Sequence, residues 1–379
     1  MRAAIGIITL VTGLLITLGI AMLHSIAMHE PEAVGMFRKQ CLWVGIGLVL
    51  CVVTASIDYR RTRSISYVLL ALTAVLLVLA RTPGIGQPIK GAWRWIKLGG
   101  LGSLQPSEFA KIAIILSIAA YAHQCQRLMP RFTVGLVYPG AVIGLMLGLV
   151  LLGKDLGTTA LISLISAGML YAAGTRLRHL VPVSVIGATL LAAYLTQDPV
   201  RWRRVDAFLH PELYEETIAL QSEQSKIAIG SGGIPGLGLG NGIQKSGFVP
   251  EQSTDFILSV IGEELGLQVT LPLVAAYLAF TLAALSIARR AADTYGSLIA
   301  FGVGALVGLQ AIINIAVTTA SVPNKGLALP FVSYGGSCML ALLILTGFLI
   351  SVAWHSPAEE SSPLLTRRDE REESSLQNA

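Results

Sequence analysis

Long apolar runs separated by short polar segments occupy most of the chain. A hydrocarbon core about 30 Å thick needs roughly 20 apolar residues for each helical span. The runs are continuous and do not alternate, so they favour helices over a closed β-barrel, the other structure that satisfies its backbone groups in lipid. The pattern predicts about ten spans, near residues 4–23, 40–57, 64–80, 107–123, 132–152, 157–174, 180–196, 256–286, 296–322 and 332–354.

Composition supports a membrane protein and excludes a soluble globular domain. Charged residues make up 13% of the 379 residues, hydrophobic residues make up 54%, and the mean hydropathy is +0.69. A soluble domain carries about twice that share of charge. The net charge of +5 comes without a basic, aromatic patch on a soluble domain, so nucleic acid is not an expected partner. We predict an all-α polytopic membrane protein whose transmembrane domain covers residues 1–355.

Two long polar segments interrupt the spans. Residues 81–106 form a predicted loop with tryptophans beside Arg94 and Lys97, a composition that suits the lipid headgroup layer or an anionic ligand. Residues 197–255 form a large loop between the seventh and eighth spans, with a predicted amphipathic helix from Glu215 to Ile229. Its glycine-rich stretch 230–242 predicts a tight loop with close backbone packing, because no strand precedes it to make a nucleotide-binding turn.

An even number of spans places both termini on one side of the membrane, and the polar tail 356–379 is predicted to be disordered. The positive-inside rule does not decide which side this is, since lysine and arginine occur in both sets of loops. An anionic ligand on the side of the large loop would explain the basic residues there.

Asp255 is a candidate general base. Pro250 breaks the chain, and Ser253 or Thr254 could cap the helix that follows, which would place Asp255 in its first turn at the aqueous boundary. The carboxylate could complement the helix dipole or accept a proton at the mouth of a cavity.

Other charged groups lie in or beside apolar spans. Glu108 and Lys111 are three residues apart, so they share a helix face and can pair. Glu263 and Glu264 must face protein or water, because a charge near the bilayer centre costs about 2.5–3.5 kcal/mol. In the irregular segment 323–337 the sole charge is Lys325, which could snorkel to the surface or hold a phosphate.

Five motifs occur in order between about residue 93 and residue 337 and are highly specific together. They are Trp93-Arg94-Trp95-Ile96 with Gln105-Pro106-Ser107-Glu108-Phe109-Ala110-Lys111, Asp155-Leu156-Gly157-Thr158, Gly238-Leu239-Gly240-Asn241-Gly242-Ile243-Gln244-Lys245, Pro250 through Phe256, and Lys325-Gly326-Leu327 through Ser333-Tyr334-Gly335-Gly336-Ser337. On these motifs the chain resembles the SEDS family (shape, elongation, division and sporulation) of bacterial membrane proteins, which includes FtsW, RodA and SpoVE.

The resemblance implies a ten-helix fold with cytoplasmic termini and a peptidoglycan glycosyltransferase that polymerises lipid II at the outer face of the bacterial cytoplasmic membrane. It implies that Asp255 is the catalytic aspartate and that Lys325 is functionally sensitive. The remaining candidate substrate-binding residues are Arg94, Lys97, Glu108, Lys111, Asp155, Gln244, Glu251 and Ser333. The expected partners are a class B penicillin-binding protein, which is a transpeptidase, and other divisome or elongation proteins.

Two motifs depart from the family pattern. Ser253 stands where the family usually has histidine, and Lys154 stands where it usually has proline. The segments 240–245 and 324–327 look more like the division branch, FtsW, than the elongation branch, RodA.

The expected reaction is an inverting transfer. Asp255 would take the proton of the acceptor sugar's 4-hydroxyl, and cations would meet the charge on the leaving pyrophosphate. No organic cofactor is expected and no dedicated metal-ligand cluster is evident, so a divalent cation, Mg²⁺ or Mn²⁺, would enter with the pyrophosphate. The alternatives are an elongation-type polymerase, a lipid II flippase and a catalytically silent scaffold.

Overall fold

The computed structural model describes residues 1–29, 31–89, 91–97, 99, 102–197, 199–210, 213–214, 218–243, 252–324 and 326–356. Helices dominate this part of the chain. They are α1 (Arg2–Ala27), α2 (Pro31–Ser56), α3 (Ser66–Leu79), α4 (Pro106–Gln124), α5 (Tyr138–Leu152), α6 (Leu156–Ala172), α7 (Leu177–Thr196), α8 (Pro199–Leu209), α9 (Ile218–Gly232), α10 (Ile257–Leu265), α11 (Leu267–Arg290), α12 (Thr294–Thr318) and α13 (Gly336–His355).

The prediction of a polytopic all-α membrane protein is confirmed. Among the described residues, seven helices are long and apolar enough to cross a membrane, namely α1, α2, α5 with the π-helical turn Thr133–Val137 before it, α7, α11, α12 and α13. The helices α3 and α6 are shorter but apolar. The centre of the bundle lies at α12 and α13, whose apolar stretches are 61% and 78% buried, whereas that of α7 is 6% buried.

Four predicted spans have wrong boundaries. The second span was predicted to begin at residue 40, whereas α2 begins at Pro31. The apolar run 256–286 is two helices, because Gly266 adopts φ 65° and ψ −171° between α10 and α11, a conformation outside the helical region. The run 296–322 leaves helix at Thr318, and Ala320 then has a positive φ. The last span begins at Gly336, so residues 332–335 belong to the preceding loop.

The segment 81–106 contains a small antiparallel sheet where a loop was predicted. Its strands are β1 (Gly86–Ile89), β2 (Ala92–Lys97) and β3 (Ser103–Leu104), in the order β1-β2-β3. Within β2, the segment Trp93-Arg94-Trp95 alternates aromatic and basic residues with the two-residue period of a strand. In the large loop, α9 lies three residues later than the predicted helix, and α8 was not predicted.

The helix ends fall into two groups. At one face of the bundle, called the site face below, α1, α3, α5, α7 and α12 end and α2, α4, α6, α11 and α13 begin. The opposite face is fastened by Asp293, whose Oδ1 accepts the Gly296 N–H at the start of α12 and whose Oδ2 lies 3.3 Å from Arg60 Nε. Burial there, with a smaller contribution from Asp293, raises the pKa of Tyr59 to about 12.

Candidate active site

The turn that carries Asp255 is held by its backbone carbonyls. The carbonyl of Ser253 accepts the Tyr334 N–H at 2.8 Å, that of Thr254 accepts the Ser333 hydroxyl, and that of Asp255 accepts Asn314 Nδ2 at 2.8 Å. These are three consecutive residues, and their partners come from α12 and from the loop before α13. Hydrogen bonds to consecutive carbonyls therefore fix the path of this turn independently of its side chains.

Asp255 was predicted to lie in the first turn of the helix, but it precedes the helix. The helix α10 begins at Ile257 after Phe256, and no side chain caps it, so neither Ser253 nor Thr254 has the predicted capping role. The carbonyls of residues 253–255 accept hydrogen bonds from α12 and from the loop before α13, and α10 begins only after them. The carboxylate of Asp255 is half-buried at the site face.

The carboxylate packs directly on Gly326. A Cβ placed on Gly326 would lie 2.6 Å from Asp255 Oδ2, and the Gly326 carbonyl oxygen lies 3.4 Å from the position of a Cβ on Gly157. Any larger side chain at residue 326 would push on the carboxylate. The backbone at residue 326 thus lies between the start of α6 and the candidate base.

Ser333 is a structural link in this site. Its hydroxyl donates to the Thr254 carbonyl and accepts the Leu329 N–H at 2.8 Å, and its carbonyl accepts Gln40 Nε2 at 3.3 Å. Gln40 Oε1 in turn accepts the Gly335 N–H at 3.2 Å, which ties α2 to the same loop. Burial raises the pKa of the neighbouring Tyr334, so its phenol stays protonated at neutral pH and does not compete as a base.

Asp155 joins three elements at the site face. It begins α6, where Oδ1 accepts the Thr158 N–H at 3.3 Å, and Oδ2 accepts Gln105 Nε2 and the Ser107 hydroxyl, both at 3.0 Å. The guanidinium of Arg94 on β2 lies 3.8 Å from Asp155 Oδ1. Arg94 Nε also donates to the Gly153 carbonyl at 3.0 Å, so the sheet is fastened to the turn between α5 and α6.

Glu108 and Lys111 form the pair that their spacing predicted. Lys111 Nζ lies 2.9 and 2.8 Å from the two carboxylate oxygens of Glu108 and 3.2 Å from Gln310 Oε1. Gln310 Nε2 donates to the Ala328 carbonyl at 2.7 Å. The side chains of Glu108 and Lys111 are 8% and 2% exposed, so the pair lies beneath the α12–α13 loop and supports it.

The glycine-rich stretch packs closely against α10, as predicted. A Cβ on Gly236 would lie 2.3 Å from the Glu264 carbonyl oxygen, and Gly236 has φ +78°, so a side chain has no space there. The buried carboxylates of Glu263 and Glu264 accept the Ile243 and Gly240 N–H groups at 2.8 and 3.0 Å. The Ser25 hydroxyl of α1 lies 2.7 Å from Glu264 Oε2. These acids hold the loop to the bundle.

The predicted site residues are only partly assembled by the described structure. It places Arg94, Glu108, Lys111, Asp155, Asp255 and Ser333 at the site face. Lys97 is exposed at the end of β2. Gln244, Glu251 and Lys325 lie outside the described residues. Within the described part of the chain, no group of three or more His, Cys, Asp and Glu residues is placed to hold a metal, so a divalent cation stays a prediction.

Sequence reasoning missed the amides that bind the backbone of the site. Gln310 and Asn314 are four residues apart in an otherwise apolar span, so they share one face of α12. Gln40 lies in the first half of α2. A polar amide inside an apolar span is a readable signal, because it needs hydrogen-bond partners within the protein.

Comparisons with known proteins agree with this architecture. A family model described as cell cycle protein, FtsW/RodA/SpoVE, matches residues 3–357. A probable peptidoglycan glycosyltransferase FtsW from Trichlorobacter lovleyi is 38% identical over 344 residues, 89% of this chain and 90% of that protein. The stage V sporulation protein E of Bacillus subtilis is 32% identical over 357 residues, 92% of this chain and 97% of that protein.

Solved structures give the same fold. A chain from a peptidoglycan synthase complex that coordinates polymerization and crosslinking matches with a TM-score of 0.74 at 25% identity, covering 93% of this chain and 98% of that one. The rod shape determining protein RodA of Thermus thermophilus matches with a TM-score of 0.69 at 24% identity, covering 93% of this chain and 97% of that one.

Proposed function

The chain belongs to the FtsW/RodA/SpoVE family of cell cycle proteins, and from that premise we propose that it is a peptidoglycan glycosyltransferase of the FtsW type. Its substrate is lipid II, which it polymerises into glycan strands for septal wall synthesis. Relatives that bear the FtsW name support the division branch, and the aligned region covers most of the length of each.

The observation that carries this proposal is the way in which hydrogen bonds hold the turn of Asp255. Three carbonyl bonds fix the turn, and the half-buried carboxylate packs on Gly326 in a loop that is itself bound to α2 and α12. A general base must lie within hydrogen-bond reach of the proton that it removes. A turn held at three carbonyls would keep the half-buried carboxylate in one position for that transfer.

In the proposed reaction Asp255 takes the proton from the acceptor's 4-hydroxyl. The oxygen attacks the donor's anomeric carbon with inversion, and the lipid pyrophosphate leaves. Arg94 and Lys97 are two of the described cations near the site face, and with Lys325 they are the three that we assign to the pyrophosphate. A divalent cation bound to the pyrophosphate would share that charge.

Location and partner follow from the same proposal. Lipid II polymerisation outside the cell requires the site face to lie at the outer surface of the cytoplasmic membrane, with both termini in the cytoplasm. The similarity to a chain of a peptidoglycan synthase complex supports a crosslinking partner. We assign this role to a class B penicillin-binding protein.

The test is polymerisation of labelled lipid II by purified protein, with and without that partner. Asp255→Asn should abolish polymer while the protein elutes and melts like the wild type, because asparagine keeps the size but takes no proton. Asp206→Asn is the matched control: Asp206 is also half-buried, and its partner, the Tyr214 hydroxyl at 2.7 Å, can donate equally to an amide oxygen. Near-normal polymer from Asp255→Asn would remove Asp255 as the base. Transfer of lipid II across vesicles without polymer would favour a flippase.

A further inference from the structure

Asn314 is a buried amide in the core of α12. It is 1% exposed, and its Nδ2 donates to the Asp255 carbonyl at 2.8 Å and to the Leu327 carbonyl at 2.7 Å. Both partners are acceptors only, so they fix the orientation of the amide. One side chain therefore joins the turn of the candidate base to the loop on which its carboxylate packs.

Stability alone does not account for an asparagine at this position. Its Oδ1 is buried and has no hydrogen-bond partner among the described residues, and an unsatisfied buried acceptor is unfavourable. The surrounding helix is apolar. The two bonds of the NH₂ group are the feature that an apolar residue of similar size could not supply.

We propose that Asn314 is the positioning residue for Asp255. Its bond to the Asp255 carbonyl fixes the backbone from which the carboxylate projects. Its bond to the Leu327 carbonyl fixes Gly326, against which Asp255 Oδ2 packs. Asn314 thus holds both the backbone that carries the Asp255 side chain and the loop that limits the position of its carboxylate. This inference rests on the proposed function, because it concerns the geometry of the base in that reaction.

The kinetic consequence is a loss of turnover without a loss of substrate affinity. Displacement of a catalytic group by about 1 Å can lower the rate by about 10²-fold. Because Asn314 is buried behind the turn, its removal takes no side chain away from the surface that binds lipid II. We expect kcat to fall and KM to stay within about twofold, the pattern of an interaction needed only in the transition state.

The experiment compares Asn314→Leu and Asn314→Ala with Thr318→Val. Leucine fills the volume of the Asn314 side chain, whereas alanine leaves most of it empty. An equal loss of kcat in both variants would therefore exclude a steric cause. Thr318 lies one turn further along α12, is fully buried, and donates its hydroxyl to the Asn314 carbonyl at 2.9 Å. Its variant removes a buried hydrogen bond of the same helix without touching the Asp255 turn. Rates are normalised to the folded, monodisperse fraction.

A second measurement does not depend on activity. Amide hydrogen exchange should become faster in residues 252–260 and 326–335 in both Asn314 variants and stay unchanged there in Thr318→Val. Wild-type kcat in the Asn314 variants, or unchanged exchange in both segments, would overturn the positioning role. If the wild type makes no polymer but exchange responds as expected, the proposed function fails and the structural clamp stands.

Discussion

Gly326→Ala tests whether the position of the Asp255 carboxylate controls the rate. The added Cβ would lie 2.6 Å from Asp255 Oδ2, whereas ordinary contacts begin at 3.4 Å. The carboxylate must therefore withdraw by about 0.8 Å, the difference between these distances. Gly326 is not among the glycines with positive φ, so alanine meets no backbone strain there.

The expected effects on rate and stability differ. A displacement of this size should lower kcat by about 10²-fold, equivalent to about 2.7 kcal/mol in the activation free energy. The free energy of unfolding should change little. A carboxylate rotated about 30° from its rotamer costs about 0.5–1.5 kcal/mol, and replacement of glycine by alanine returns about 0.4–1 kcal/mol through the unfolded chain.

The assay is the initial rate of lipid II polymerisation beside a thermal melt. Gly47→Ala is the matched control, since its Cβ would lie 2.5 Å from Leu343 Cδ1, also the end of a flexible side chain, in the α2–α13 contact. It should keep the wild-type rate. Equal rates for Gly326→Ala and the wild type would refute the argument that this carboxylate is held at its reacting position.

Three further outcomes are expected. Lys111→Met should lower the free energy of unfolding by about 3–5 kcal/mol, because it leaves Glu108 buried without its cation, and adding Glu108→Gln should restore much of the melting temperature. Asp155→Ala should destabilise by about 0.5–2 kcal/mol through the lost helix cap, and Asp155→Asn by less, as seen in melting temperature. In spheroplasts of a cysteine-free variant, a cysteine at Ser222 should react with an impermeant thiol reagent and one at Ser361 should not; the reverse result would make an outward-facing polymerase untenable.

Hydropathy was sufficient for the spans but not for their interruptions. The break at Gly266 was hidden because the residues on both sides are apolar, and a single glycine costs a helix only about 1 kcal/mol. The segment that packs against Gly266 is distant in sequence, so hydropathy around Gly266 does not report it. The loop packs so closely that a Cβ on Gly266 would lie 2.3 Å from the Ile234 carbonyl oxygen.

The charged members of the site were visible in sequence, while their connections were not. The spacing of Glu108 and Lys111 predicted a pair, and the structure shows it. The carbonyls of the turn 253–255 accept hydrogen bonds from Asn314, Ser333 and Tyr334, which lie 59 or more residues further along the chain. Hydrophobic periodicity reports which face of a helix is buried, but it does not report which distant amide will meet a carbonyl.

The three carbonyl bonds at residues 253–255 have a consequence for how this protein can change over generations. Because the main chain supplies the acceptors, a mutation that exchanges a side chain on the turn removes none of these bonds. A different side chain at residue 253 can therefore arise while the backbone of the turn stays unchanged. Apart from Asp255 itself, the side chains of the turn can vary without loss of these bonds, whereas the amide of Asn314 and the hydroxyl of Ser333 cannot.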